Sequence, residues 1–254
     1  MTMRILQRFA VPLIGIFVIA SVWEIGTTRG WVNTNSVPTL HETVARTYEL
    51  LVNSEFYEYL GGTLQAWAVG LAWAVVLAIP LGIVFGLNYW AYSFIRLPLE
   101  AIRPVPPVVI LPLALLIIGG GLRFQATLIF QGAFWPLLIT VIYAIRSTDA
   151  VSLDTARSFR FGLLRTVAFV RLPAAAPLIG SGLRLAAATA FGVTLVTEIL
   201  GGASGIGTQL MIAQSGGDAT SVFAVTIIAG IVGLIISGAF GKIEKSFLSW
   251  QVAS

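Results

Sequence analysis

Between two long apolar stretches the chain carries a basic, amphipathic island, DTARSFRFGLLRTVAFVRLP, from Asp154 to Pro173. Its polar members Asp154, Thr155, Arg157, Arg160, Arg165 and Arg171 make it basic, and the arginines could sit on lipid headgroups or meet a partner protein. Its apolar members Phe159, Phe161, Leu163, Leu164, Val167, Phe169 and Val170 are too many for a loop that meets only water. They require a partner surface, either the membrane interface or another protein. Reactive chemistry is not assembled elsewhere. The one histidine, His41, lies far from any serine or acidic pair on a helix, cysteine is absent, and no G-x-x-x-x-G-K-[ST] loop cradles phosphates.

The elements that hold this island follow from composition. With 57% hydrophobic and 10% charged residues and a mean hydropathy of +0.92, the chain reads as an integral membrane protein. A span needs roughly 20 apolar residues in a helix, because the backbone finds no partners in lipid. Six segments qualify, near Phe9 to Thr28, Thr63 to Leu87, Leu97 to Ile118, Phe124 to Ile145, Ala174 to Leu200 and Val222 to Gly241. The first reads as a retained helix rather than a cleaved signal peptide, since its apolar run is long and no clear A-x-A site follows. Little chain remains for a soluble domain. Residues 1–254 are therefore expected to form a single transmembrane domain with a loop at about 146–173 and an outer loop at about 29–62.

Basic residues near span ends stay on the cytoplasmic side. Arg4, Arg8, Arg96, Arg103, Arg146, Arg157, Arg160, Arg165, Arg171, Lys242 and Lys245 fall on one side, against Arg29, Arg46 and Arg123 on the other, with Arg184 inside a helix. Both termini and the Asp154 loop are accordingly assigned to the cytoplasm. The net charge of +4 reflects this topology, and no basic cluster interleaved with aromatics marks a nucleic-acid surface.

Locally, NTNSVPTL predicts a turn, followed by a short outer helix carrying Val44, Thr47, Tyr48, Leu51 and Val52 at helical spacing. In the basic loop Ser152 is the expected N-cap of a helix from about Leu153 to Phe161, and Gly162 is a natural left-handed end. A second short helix is expected from Leu163 towards Val170, before Leu172 and Pro173. Glu24, Gln131, Arg184, Thr194, Thr197 and Glu198 are the notable polar residues within apolar segments, and each needs a partner or a water-filled cavity. Gln131, Thr194, Thr197 and Glu198 are candidates for a pathway or for structural hydrogen bonding; Glu198 is favoured as a buried acid holding the GGASGIG loop. Arg184 is expected to snorkel. Small residues, Gly180, Gly182, Ala186, Ala190 and Gly192 and then Gly230, Gly233, Gly238 and Gly241, permit close helix packing.

The loop resembles one found in permease subunits of binding-protein-dependent ABC importers, written E-A-A, three residues, G, nine residues, I-x-L-P. Asp154, Thr155 and Ala156 occupy the first three places, Val170 stands for the Ile, and Leu172 and Pro173 close the motif. VPTLHETVARTYELL, LEAIRPVPPVVILPLALLIIGGG and GSGLRLAAATAFGVTLVTEILGGASGIGTQL resemble the branch serving nitrate, sulfonate, taurine, bicarbonate and thiamine-precursor pyrimidines. The resemblance implies an all-α integral membrane fold of about six transmembrane helices with the type I importer (MetI-like) architecture. It also implies a non-catalytic, multi-pass subunit of the bacterial inner membrane that binds no cofactor, ATP and Mg being held by a separate ATPase.

The implied partners are two ATPase subunits, a second permease chain, a periplasmic or lipid-anchored solute-binding protein and the bilayer. A homodimer is favoured over a heterodimer. Asp154, Thr155, Ala156, Arg157, Phe159, Arg160, Phe161, Gly162, Leu172 and Pro173 would then couple to the ATPase. One departure stands out: the family's glycine is Arg160 here, so either the turn has moved to Gly162 or the loop bends differently. The alternative reading is a secondary transporter or channel of six-helix type.

Overall fold

Apolar stretches that cannot hydrate their backbone fold as helices, and helices are the only regular elements among the described residues of the computed structural model. The backbone is described for residues 2–34, 36–102 and 105–248, and side chains for 14–34, 36–102 and 105–245. The side chains of Arg4 and Arg8, and Arg103 altogether, lie outside that set. The elements are α1 (Thr2–Thr28), α2 (Leu40–Val52), α3 (Ser54–Leu87), α4 (Tyr89–Ile102), α5 (Pro107–Ile118), α6 (Leu122–Arg146), α7 (Ala150–Ser158) and α8 (Leu163–Thr166). A π-helical turn (Val167–Arg171), α9 (Leu172–Gly201), α10 (Ile206–Ser215) and α11 (Ala219–Leu248) complete them.

Among the described residues, four helical runs are long and apolar enough to cross a membrane: α3, α6, Leu163–Gly201 and Ala219–Lys245. They match the second, fourth, fifth and sixth expected segments. The third expected segment, Leu97 to Ile118, is instead two helices, α4 and α5, and counts as a fifth span only if the pair is taken together. Proline is the cause: Pro106 is the N-cap of α5 and Pro107 its first residue, where a missing N–H is harmless but a continuing helix is blocked. Of the first segment, the described apolar part is Ile14–Thr28.

The chain divides into two compact units, one of Met1–Tyr59 with Gln209–Gly230 and one of Leu60–Thr208 with Ile231–Ser254. In the first, the expected outer helix is α2. A capping box starts it: the Glu42 N–H donates to Thr39 Oγ1 at 3.2 Å, and the Thr39 N–H donates to Glu42 Oε2 at 3.1 Å. The Thr39 hydroxyl also donates to Glu42 Oε2 at 2.8 Å, and this bond, followed by that from the Thr39 N–H, holds the Glu42 carboxyl below its ordinary pKa. Glu24, expected among the polar residues of the first span, adds a third cap by accepting the Leu40 N–H at 2.8 Å. The Trp23 indole donates to Pro38 O at 2.9 Å and packs on Phe223, and Arg46 Nε donates to Ser221 Oγ at 2.9 Å.

The second unit is built on α6. Of its apolar window, 61% is buried, against 22 to 39% for the other three runs, so α6 is apolar on nearly every face because nearly every face meets protein. Its partners approach through small residues. Gly70, Ala74, Ala78, Gly82 and Gly86 recur every four residues and form one stripe along α3. A Cβ at Gly70 would lie 2.5 Å from Ile129, one at Gly82 2.6 Å from Val141 and one at Gly86 2.8 Å from Ile145. On the α9 side, a Cβ at Gly182 would lie 2.6 Å from Thr140, and Ala186, Ala187 and Ala190 are buried. The close packing expected of the α9 glycines therefore holds at Gly182, whereas Gly192, Gly230 and Gly238 face open space. Trp67 ties α3 to α9 by donating to Ala187 O at 3.0 Å, and its ring meets Phe240 of α11 edge-on.

Without a hydrophobic drive between helices in lipid, this contact rests on close approach. Gly82→Leu should therefore cost about 1 to 3 kcal/mol or more through overpacking, read as a lowered melting temperature in detergent. Gly61→Leu, at a site with nothing within 4 Å, should leave it unchanged.

Candidate functional site

The basic loop starts one turn earlier than expected. Asp149, not Ser152, is the N-cap of α7: its Oδ2 accepts the Ser152 N–H at 3.0 Å and lies 3.3 Å from the Ser152 hydroxyl, which donates to it. Asp154 consequently sits beyond the first turn, where the helix dipole is weaker. Its carboxylate pairs with Arg157 Nη1 at 2.8 Å. With side chains 69% and 79% exposed, that pair contributes at most about 1 kcal/mol, so both groups remain available to a partner. The Thr155 hydroxyl folds back on Val151 O at 2.8 Å. Ala156 is buried, and α7 touches the π turn.

The end of α7 resolves the Arg160 departure. The Phe161 N–H donates to Ala156 O at 2.9 Å and the Arg160 N–H to Arg157 O at 2.8 Å, the two bonds of a Schellman motif. Arg160 is its left-handed residue, with φ 54°. Gly162 is extended, with φ −71° and ψ 168°, and its carbonyl accepts the Thr166 N–H to start α8. The turn has not moved to Gly162. Arginine holds the conformation that glycine adopts freely, at a cost of about 1 kcal/mol.

The second expected helix does not end before Leu172. α8, the π turn and α9 form one helical run, Leu163–Gly201, of 39 residues. Pro173 explains the π turn: it lacks the N–H that would reach Phe169 O, and its ring would strike that carbonyl in a regular helix. The wider turn avoids the clash, and the Leu172 N–H reaches back to Val167 O. Leu172 and Pro173 are half-buried at this junction. Arg171 Nη1 donates to Ile145 O at 3.2 Å and so ties the foot of the run to the end of α6. Outside this anchor the surface is apolar and open: Phe159, Leu163, Leu164 and Phe169 are each at least 70% exposed. Phe161 is partly sheltered, with its ring 6.4 Å from that of Phe159.

At the opposite end of α9, Glu198 is fully buried. Its Oε2 accepts the Gly207 N–H at 2.8 Å, while Thr63 Oγ1 accepts the Ile206 N–H at 2.9 Å; together they cap α10. A Cβ at Gly205 would lie 2.1 Å from the Glu198 carboxyl carbon, so the loop closes over the acid only because glycine is there. Thr194 and Thr197 are buried, and their hydroxyls donate to Ala190 O and Thr194 O of their own helix. Gln131 is half-buried on α6. Of the four intramembrane candidates, Thr194, Thr197 and Glu198 lie together along α9 and Gln131 stands apart on another helix.

Two further polar groups are not evident from sequence. Gln125 is buried with Nε2 unpartnered among the described residues; its position four before Ile129 places it on a face of α6 that enters the core. Glu244 pairs with Arg184, whose Nη1 is 3.5 Å from Glu244 Oε2, so Arg184 reaches across to α11 rather than simply along its own helix.

Residues 78–248 match the family of binding-protein-dependent transport system inner membrane components. The chain belongs to that family. A protein of Bacillus subtilis strain 168 named for aliphatic sulfonates transport, SsuC, is 30% identical over 92% of this chain and 85% of its own. The nitrate import permease NrtB of Leptolyngbya laminosa is 25% identical over 95% of this chain and 88% of its own. The taurine transport system permease TauC of Escherichia coli K12 is 26% identical over 79% and 73%. A chain of the MetNI methionine ABC transporter, solved in inward-facing conformations, shares the fold with TM-score 0.67 at 21% identity, over 78% of this chain and 96% of that one. The chain is thus a type I importer permease, the membrane-spanning, non-catalytic subunit of an ABC importer whose ATPase is a separate subunit. These matches give no support to a secondary transporter or channel.

Two outcomes are expected from this geometry. Arg160→Gly should slow amide exchange at residues 159–161 by about fivefold, the factor for roughly 1 kcal/mol of relieved strain; unchanged exchange would show that the left-handed turn stores none. Glu198→Ala should raise exchange across residues 203–208, since an unpaired buried N–H costs about 1 to 3 kcal/mol, whereas Glu198→Gln, which keeps an acceptor oxygen, should raise it less.

Proposed function

We propose that this permease imports a small oxyanion of the sulfonate or nitrate kind, and that α7 with the run beginning at Leu163 is the surface on which its ATPase drives it. The names of SsuC, NrtB and TauC support the substrate class. One observation carries the coupling role: an exposed apolar and basic foot, Leu163 to Phe169, is continuous in helix with the span α9, and Phe159 stands exposed on the turn just before it. A groove on the ATPase receives Phe159 and Phe161, while Asp154, Arg157 and Arg160 meet its polar rim. Thr155 and Ala156 hold α7 together, Arg160 makes the turn after it, extended Gly162 starts α8, and Leu172 and Pro173 shape the junction.

In this reading two copies of the chain enclose the pathway across one permease domain each, with both termini and the loop on the cytoplasmic side. Two ATPase subunits bind ATP and Mg, and a solute-binding protein, free or lipid-anchored, delivers the anion from outside. Closure of the ATPase dimer moves the two feet, and the difference in ATP affinity between inward-open and outward-open states drives the switch.

Asp154→Lys tests this directly. The pair with Arg157 is surface-exposed, so the melting temperature of the purified chain should change little. Uptake of taurine, ethanesulfonate or nitrate into proteoliposomes of the complete transporter should fall about tenfold, with ATPase stimulation by the binding protein lost. Uptake at the unsubstituted rate would remove Asp154 from the coupling surface.

A further inference from the structure

A charged group inside an apolar span marks a place where the protein meets water or a ligand, and α9 carries one such group in Arg184. Its side chain is 49% exposed. Arg184 Nε donates to Ser237 Oγ at 3.3 Å and Nη1 to Glu244 Oε2 at 3.5 Å, both longer than a strong charge-assisted bond. The remaining guanidinium N–H groups have no partner among the described residues. Glu244 is better held: it is 19% exposed, and its Oε1 accepts a short hydrogen bond from the Ser181 hydroxyl. Ser181, Arg184, Leu185, Ala188, Ser237 and Glu244 line a cavity of about 330 Å³ between α9 and α11. A Cβ at Gly180 would lie 3.4 Å from Glu244 Cα, and one at Gly241 would lie 3.7 Å from the Arg184 guanidinium, so small residues on both helices let the charged pair form.

We infer that this cavity is a transit site for the transported oxyanion, with Arg184 presenting its open N–H fork to two oxygens of a sulfonate or nitrate group and Ser237 supplying a hydroxyl beside it. The inference rests on the proposed oxyanion substrate. Guanidinium donors match planar or tetrahedral oxyanions in pairs, which an ammonium does not. Glu244 is the resident counter-ion: it offsets the cost of Arg184 in the empty state and is displaced when an anion takes the fork. The loose 3.5 Å pairing suits that exchange, since a pathway site must bind well enough to be entered and weakly enough to be left.

The test uses the permease–ATPase complex in detergent without the binding protein, titrated with ethanesulfonate and read by saturation-transfer NMR, with nitrate as competitor. The unsubstituted complex should bind ethanesulfonate and release it to nitrate. Arg184→Gln should weaken binding at least tenfold, Arg184→Lys should weaken it less, and Glu244→Gln, which removes the competing carboxylate, should bind as well or more tightly. A purely structural ion pair predicts that Glu244→Gln is as damaging as Arg184→Gln, and that result overturns the site. So does the absence of ethanesulfonate binding, or binding unchanged in Arg184→Gln while co-purifying phospholipid falls, which would make Arg184 a headgroup anchor. ATPase retention on the same preparations separates the two readings. A complex that never holds an ATPase sinks the coupled permease, whereas a retained ATPase with unaltered ethanesulfonate binding sinks only the anion site.

Discussion

The close contact of α6 with α3 and α9 is the constraint on which the second unit depends. Lipid offers no hydrophobic gain for bringing helices together, so the contact must come from packing and from backbone approach. α6 supplies bulky residues, Ile129, Leu137, Val141 and Ile145, all buried, and its neighbours supply glycine and alanine. The arrangement leaves α6 as the fixed element. Its C-terminal end also anchors the chain beyond it, because Arg171 bonds the last buried carbonyl, Ile145 O, and Arg146 lies over the Tyr92 ring at 4.2 Å.

From that anchor the chain makes an excursion and returns as a single run. A flexible loop between α6 and α9 would dissipate a push delivered at its tip. The excursion is instead helix, a hydrogen-bonded Schellman turn, and a helix that continues through a π turn into the span. Strain at Arg160 and the widened backbone before Pro173 are the local costs of that continuity. At the far end Glu198 accepts the Gly207 N–H and so holds the turn that follows α9.

Much of this was legible in the sequence because membrane helices are long and uniform. Four spans and the short helix α2 follow from hydropathy and turn residues, and the place of the basic loop between two spans follows from its charges. Details that depend on tertiary contacts did not. Ser152 and Asp149 are both good caps, and the choice fell to the register that buries Ala156. Gly162 is the better left-handed residue by propensity. Two more residues in α7 would turn its exit by about 200°, however, and point the chain off the start of the run at Leu163, so Arg160 takes the turn. The split of Leu97 to Ile118 was readable from Pro104, Pro106 and Pro107, and the stripe on α3 from its four-residue spacing, where alanines stand between the glycines. Glu244 was hidden among the basic residues that end α11, since its partner lies sixty residues away in sequence.

Coupling through a continuous helix requires that the foot and the span move as one body. Because the chain has no cysteine, single labels can be placed without background. Spin labels at Arg165→Cys and Leu185→Cys, twenty residues apart on the run and so about 30 Å at 1.5 Å per residue, would be measured by double electron–electron resonance in complete transporters that pair one doubly labelled permease copy with one unlabelled copy. A rigid run gives one narrow distance that is the same without nucleotide and with ATP bound. A distance that broadens, or shifts by several ångströms on ATP binding, would place a hinge at the π turn and contradict it.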